Sequence, residues 1–593
     1  MRQNCAFRIG NPGSCVVVLF AVAASLGGGC AGEIGDRGPS SGGQNDAGVG
    51  GPKVGAPGEI EGEGGAGGTS PGGTGGAASP GTGGVMAPAD AGAGTGGSPA
   101  PATGDLVHGL SVTDVAIYQA VKVSLVKTGQ PVSMPSAPLI RNRPALVRVF
   151  VTPDAGWQAR TVVARLQWGS AAPKEAMATI AAASTDPLTN STFNFQLAAT
   201  DMTAQVPWSI SLLEAPGGTG AGATTGAKIP ADGSLAMLGT LDSGASLKIA
   251  FVPIRNNNTL PDTSAAQIKF LTDAMFATYP VAKIETTVRD PIDFPSPIAA
   301  MGTGWDAALN QVCMTRQTDK PARNVFYYGL VTPGPFQTYC AGGCVEGIAV
   351  LASNPNQDFM RCSMGIGYTN MGSGVFLQEV AHSMGRSHAP CGQPAQPDRM
   401  YPYAGAKIGV WGYDLVRQRL IDPARTVDFM SYCAPVWISD YTFGRLLPWI
   451  QAVNALAPAP FISPGASSPE LAASSSGGWP SGPAYPSASA AATAFPADST
   501  LRFPPARWRV ATVESDGGVL WGPLVDFDEI AGGTSHTVVI RDGNGQSSTV
   551  SGLLFPHTGT GGGMLLLPAT VPARAGSVQI GAGTTFRNVR VDN

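Results

Sequence analysis

The chain has 593 residues, 80 of them Gly and 50 Pro, with 13% charged side chains and a formal net charge of −4. A hydrophobic fraction of 43% supports real cores and excludes a collagen-like or wholly disordered chain. A sequence pI near 5.8 argues against nucleic-acid binding, which calls for a basic face, and beyond the N-terminus no apolar run reaches the roughly 18 residues that span a bilayer.

The chain opens with Arg2 and Arg8 ahead of an apolar stretch, Cys15–Leu26, the layout of an export signal too short to cross a membrane. It runs through three glycines into Cys30. That ending resembles a bacterial lipobox, with the aliphatic residue one place further from the cysteine than usual. Residues 1–30 then form a lipoprotein-type signal peptide with Cys30 as the lipidation site; plain cleavage is the alternative. Either way the protein is expected to be exported, as a cell-envelope lipoprotein or a secreted protein, meeting a membrane only through a lipid anchor. Residues 31–104 hold 27 Gly among Ala, Pro, Ser and Thr, too little apolar surface to offset ordering, and read as a tether. Its random-coil reach is about 45 Å. A GxGxxG match at Gly92, Gly94 and Gly97 has no strand before it and no helix after it, so it is linker composition.

From residue 105 the composition changes. The runs Ala145–Val151, Thr161–Trp168 and Ser191–Leu197 are rich in β-branched and aromatic residues and separated by turn formers, which predicts an all-β sandwich over 105–243. Leu247–Ile254 reads as a buried strand. Thr263–Tyr279 reads as an amphipathic helix capped by Thr263 or Ser264, with Ile268, Leu271 and Met275 inward, and Lys283–Val288 as a further strand. Strand, helix, strand predicts an α/β or α+β domain over 244–458. A Pro/Ser/Ala-rich linker over 459–499 precedes a small all-β domain, sandwich or jelly-roll-like, over 500–593. Asp542–Gly545 is a hairpin turn there rather than a calcium loop. Six cysteines, Cys313, Cys340, Cys344, Cys362, Cys391 and Cys433, all fall in 244–458. In an exported domain they imply three disulfides among fifteen pairings, with a Cys-based metal site as the alternative.

The chemistry concentrates in Val375–Cys391, VFLQEVAHSMGRSHAPC. Phe376, Leu377, Val380, Ala381 and Met384 share one helical face, while Gln378 and His382 share another at i and i+4. Gly385 suits the left-handed conformation that ends a helix. A reversal there returns His388 alongside His382, with Glu379 beside them.

QEVAHSMGRSH resembles HExxHxxGxxH, the zinc signature of metzincin metallopeptidases, at every fixed position except the first. Asp428–Tyr432, with Met430 placed 42 residues after His388, resembles their Met-turn. The resemblance implies an α+β metzincin-like domain with His382 and His388 as zinc ligands and Glu379 as general base. It makes Met430 a packing floor and Tyr432 a fifth ligand or oxyanion stabiliser. A β-domain ahead of such a peptidase is similar to secreted bacterial mucin-cleaving metzincins, which implies a protein or glycoprotein substrate. In such sites three neutral nitrogens leave a zinc position for water, whose pKa falls to about 7, and the glutamate takes its proton.

The departure is Gln378, where the first histidine belongs. An amide oxygen is a poorer zinc ligand than imidazole. Three readings follow. Gln378 ligates weakly, with Tyr432 or water completing the site, giving an extracytoplasmic zinc metalloendopeptidase of weakened activity. The site holds no metal, giving a pseudo-peptidase that serves as a surface protein- or glycan-binding module. Or another group replaces the missing ligand. Cys391 and Cys433 each follow a proposed site residue by three, so a bridge joining the two walls of the site is the favoured pairing. Trp411, Trp437 and Tyr441 read as core packing rather than cleft lining.

Overall fold

The computed structural model describes residues 104–456, apart from 396, and most of 502–591. The signal segment with Cys30, the glycine-rich stretch to residue 103 and the 459–499 linker lie outside the described residues.

Two antiparallel sheets come first. One holds Leu110–Tyr118, Ala120–Lys127, Ala145–Pro153 and Phe193–Leu197; the other holds Arg160–Trp168, Lys174–Ile180, Gln205–Glu214 and Ala236–Gly239. Phe193, Phe195 and Leu197 are buried while Asn194 and Gln196 between them are exposed, the period of two that a sheet with one wet face imposes. Val115, Val147 and Val149 from one sheet and Leu166, Ile210 and Leu212 from the other meet in one core. The first sheet also takes in Gly412–Asp414 and Arg419–Ile421 from far along the chain, and the same core continues to Phe376 and Met430.

The next sheet carries the site. Its main strands are β1 (Leu247–Arg255), β2 (Ile284–Val288), β3 (Val325–Val331), β4 (Gly347–Ala349) and β5 (Cys362–Ile366). Their order across the sheet is β2-β1-β3-β5-β4. The first four in that order are parallel, and β4 runs antiparallel to β5 at the edge. Parallel neighbours need crossovers, supplied by α1 (Ala265–Thr278) and α2 (Trp305–Asp319). The helix expected from residue 263 onward starts after Ser264, whose Oγ accepts from the Gln267 amide at 3.3 Å, and it buries Ile268, Leu271 and Met275. Cys313–Cys362 ties α2 to β5, and Cys340 pairs with Cys344.

The C-terminal region is all-β, as expected. Its eight-stranded sheet runs from Thr585–Phe586 at one edge to Asn588–Val591 at the other. Its two faces are buried against different partners. Leu565 and Leu567 join Trp521, Val538 and Val578 in the sheet's own core. Their neighbours Met564 and Leu566, with Val510, Phe527 and Phe555, pack on Trp305, Leu309 and Val312 of α2. One face thus closes on the sheet's own core, and the other packs on the preceding unit. The turn at Asp542–Gly545 is a hairpin, its Asp542 Oδ1 accepting the Asn544 and Gln546 amides.

Candidate active site

Helix α3 (Ser373–His382) follows β5 and presents two faces. Phe376 packs edge-on against Tyr328 with ring centroids 4.8 Å apart, and the Tyr279 hydroxyl donates to the Leu377 carbonyl at 2.6 Å. Those contacts fix the helix to the core. Val375, Gln378 and Glu379 line a pocket on the other face. The helix ends in a Schellman motif, with the Gly385 amide on the His382 carbonyl at 2.9 Å and the Arg386 amide on the Ala381 carbonyl at 3.0 Å. Gly385 has φ +71, and a Cβ there would lie 2.6 Å from Trp449 Cζ3 and 2.9 Å from the Ala352 carbonyl oxygen. Both backbone and space require glycine at this reversal.

The reversal brings the two histidines together, with Nε2 of His382 3.1 Å from Nε2 of His388. His382 Nδ1 faces the Arg386 carbonyl at 2.6 Å and His388 Nδ1 faces the Ala395 carbonyl at 3.4 Å. A carbonyl only accepts, so each Nδ1 carries the proton and donates. Both Nε2 atoms therefore present bare lone pairs to one another. Burial pushes the His388 pKa down to about 4. It pushes His382 well below the usual range, helped by the neighbouring His388. Two like lone pairs at this separation repel unless a cation lies between them. Two nitrogens about 2.05 Å from a tetrahedral zinc lie about 3.3 Å apart, so the spacing fits that ion.

The opposite floor is the turn at Met430. The Ala389 amide donates to the Met430 carbonyl at 2.8 Å and the Tyr432 amide to the Cys391 carbonyl at 3.0 Å, while Cys391 and Cys433 are bridged. The histidine loop and the turn are thus held together by hydrogen bonds and a covalent link. Asp428 supports the turn from within, its Oδ1 accepting the Met430 amide and its Oδ2 the Ser439 amide, each at 2.9 Å. Met430 is 1% exposed, and the Tyr432 ring lies edge-on to His388 at 4.7 Å between centroids.

The pocket encloses about 390 Å³, part of it open to solvent, and its lining includes Gln378, Glu379, His388, Tyr432 and, from the C-terminal sheet, Thr558 and Gly559. Gln378 is 4% exposed, and it lines the pocket beside Glu379. Glu379 is 6% exposed. Burial raises its pKa to about 8, opposed by the Thr558 hydroxyl, whose Oγ1 lies 3.3 Å from Glu379 Oε2.

No further His, Cys, Asp or Glu among the described residues joins the two histidines closely enough to share an ion. That leaves Gln378 and Tyr432 as the protein groups available beside them. Cys340, Cys344 and Glu346 do cluster within 4.8 Å, but their two sulfurs form a disulfide, which is not the thiolate that binds a metal. Trp437 donates to the Ala120 carbonyl at 2.9 Å, Tyr441 to Asp398 at 2.8 Å, and Trp411 packs beside Tyr413; none of them lines this pocket. Sequence reasoning missed Thr558 and Gly559. They lie nearly 180 residues from Glu379 in a turn with no motif of its own, so no local signal marks them.

Residues 348–433 match the Peptidase M66 family. The match begins in β4 and ends at Cys433, so it takes in Glu379, both histidines and the Met430 turn, and it supports a peptidase. No curated protein matches the chain.

Proposed function

We propose that this chain is an extracytoplasmic zinc metallopeptidase of metzincin type that hydrolyses proteins or glycoproteins. The observation that carries the reading is the pair of facing Nε2 atoms 3.1 Å apart. His382 and His388 would hold the ion, with the Gln378 amide oxygen and Tyr432 as the further donors. When bound, zinc supplies Lewis acidity, polarising a peptide carbonyl and acidifying a water.

The chain's own residues do the rest. The Arg386 and Ala395 carbonyls hold the imidazoles in the donor tautomer. Gly385 sets the reversal that aims them, and the Cys391–Cys433 bridge keeps the turn under them. Glu379, buried with a pKa near 8, is placed to accept a proton at one carboxylate oxygen and release it later, since a general base works best with a pKa close to the operating pH. A nearby cation favours its ionised form. The Gln378 amide oxygen donates less electron density than imidazole, so metal affinity and turnover fall below those of a three-histidine site.

Gln378 also favours a second reading, a catalytically inactive module that binds protein or glycan in the same cleft. Zinc titration against a competing chelator separates the two. The first reading expects one equivalent bound by the purified chain and loss of that binding in His382→Ala; absence of binding in the wild type leaves the second. An N-terminal mass carrying lipid on Cys30 would support a membrane-anchored exported form, and an unmodified N-terminus would remove it.

A further inference from the structure

The C-terminal sheet reaches into the cleft through the turn after its Ser547–Pro556 strand. The Thr558 amide donates to the Ala349 carbonyl at 2.8 Å and the Leu351 amide to the Pro556 carbonyl at 3.4 Å. The Ala349 amide donates to Thr558 Oγ1 at 3.0 Å, and Val350 bridges His557 in antiparallel sense. This is strand addition: β4 is an edge strand, and Pro556–Thr558 take the backbone groups that run on from it. At the end of that added strand Thr558 covers Glu379, and Gln378, Glu379, His382 and His388 are each left between 1 and 6% exposed.

The turn is seated in a socket away from the cleft. Asp306, in the first turn of α2, has a fully buried side chain. It accepts from His557 Nδ1 at 2.7 Å, Thr560 Oγ1 at 2.7 Å and the Ser515 amide at 3.3 Å. All three donors belong to turns between strands of the C-terminal sheet. Beside them Asn310 donates to Thr512 at 2.7 Å.

We propose that the Pro556–Thr560 turn is an intramolecular strap occupying the peptide-binding edge of the cleft, so that a polypeptide reaches Glu379 only after the C-terminal sheet shifts from its Asp306 socket. An extended peptide approaching along this edge needs the same Ala349 and Leu351 groups that the strap now uses. What the strap excludes rests on the peptidase reading; its covering of Glu379 does not.

The test uses the full chain with Asp306→Ala and the milder Thr560→Val, neither of which touches the cleft chemistry. Two quantities are read: carbodiimide labelling of Glu379 by peptide mass spectrometry, and hydrolysis of fluorescein-labelled casein by the zinc-loaded protein. Loss of the buried carboxylate's bonds should raise labelling about tenfold in Asp306→Ala and less in Thr560→Val, with hydrolysis rising in parallel. If Asp306→Ala does not fold, Thr560→Val carries the comparison. Unchanged labelling, while the Thr558 and Leu351 amides exchange hydrogen faster than in the wild type, overturns the strap. So does increased labelling with reduced hydrolysis, which would make the turn a required wall. Increased labelling with no hydrolysis by any form, the wild type included, keeps the strap and removes the peptidase reading.

Discussion

The two walls of the cleft are built in different ways. The histidine wall is local: thirteen consecutive positions from Glu379 to Cys391 contain a helix end, a glycine reversal and both imidazoles, and one disulfide closes it onto the Met430 turn. The Thr558 wall is remote, brought in by a sheet that packs on α2 and seated by a single buried carboxylate. The first wall has its geometry written into its spacing and is covalently fixed; the second depends on docking. The comparison separates chemistry, which is fixed, from access, which is not.

Breaking the covalent side of that comparison should cost the most. Cys391→Ala with Cys433→Ala is expected to destabilise the chain by about 2–5 kcal/mol, read as a lower midpoint in denaturant unfolding; an unchanged midpoint would mean that the two hydrogen bonds alone hold the turn. Next comes His388→Ala, expected to weaken zinc binding by at least about a hundredfold, close to 3 kcal/mol, in a competition titration. Gln378→His should move the same measurement the other way, by about tenfold. No gain there would mean that position 378 does not face the ion.

The smallest effect is on pH dependence, and it tests whether the fixed wall carries the titrating groups. In the metal-free chain His382 and His388 have depressed pKa values. The stability tied to them is present above the unfolded value of about 6.5 and is lost as pH falls towards 4. Glu379 is raised to about 8, so its contribution is complete below about 4.5 and is lost as pH rises through 8. Together they place the thermal optimum near pH 6.5, with slopes of about 1 kcal/mol per pH unit on either side. Glu379→Gln should flatten the alkaline limb and steepen the acid limb, because Glu379 no longer offsets the two histidines between about pH 4.5 and 6.5.

What was legible in the sequence follows the same division. The strands at Ala145 and Leu247, the helix from Ser264 and the pairing of His382 with His388 were all readable, because each depends on periodicity or a reversal within a few residues. The Cys391–Cys433 bridge was readable once the two walls had been aligned. The all-β character of the C-terminal region was readable too, but what it packs on was not, because the apolar run Met564–Leu567 shows that both faces are buried without saying against what. Thr558 and the Asp306 socket were not readable either. Their roles arise from packing between segments more than 170 residues apart, and a threonine after a histidine in a glycine-rich turn carries no pattern. Gln378 is an intermediate case: its position was legible, while its place in the pocket lining beside Glu379 was seen only in three dimensions.

The central claim is that the fixed wall still performs chemistry despite Gln378. Casein turnover by the zinc-loaded full chain, compared directly with Glu379→Gln, tests it. Measurable turnover is expected in the wild type and a loss of two to four orders of magnitude, about what a positioned general base contributes, in the variant. Equal rates in the two proteins, or no turnover by a wild type shown to hold zinc, would contradict it.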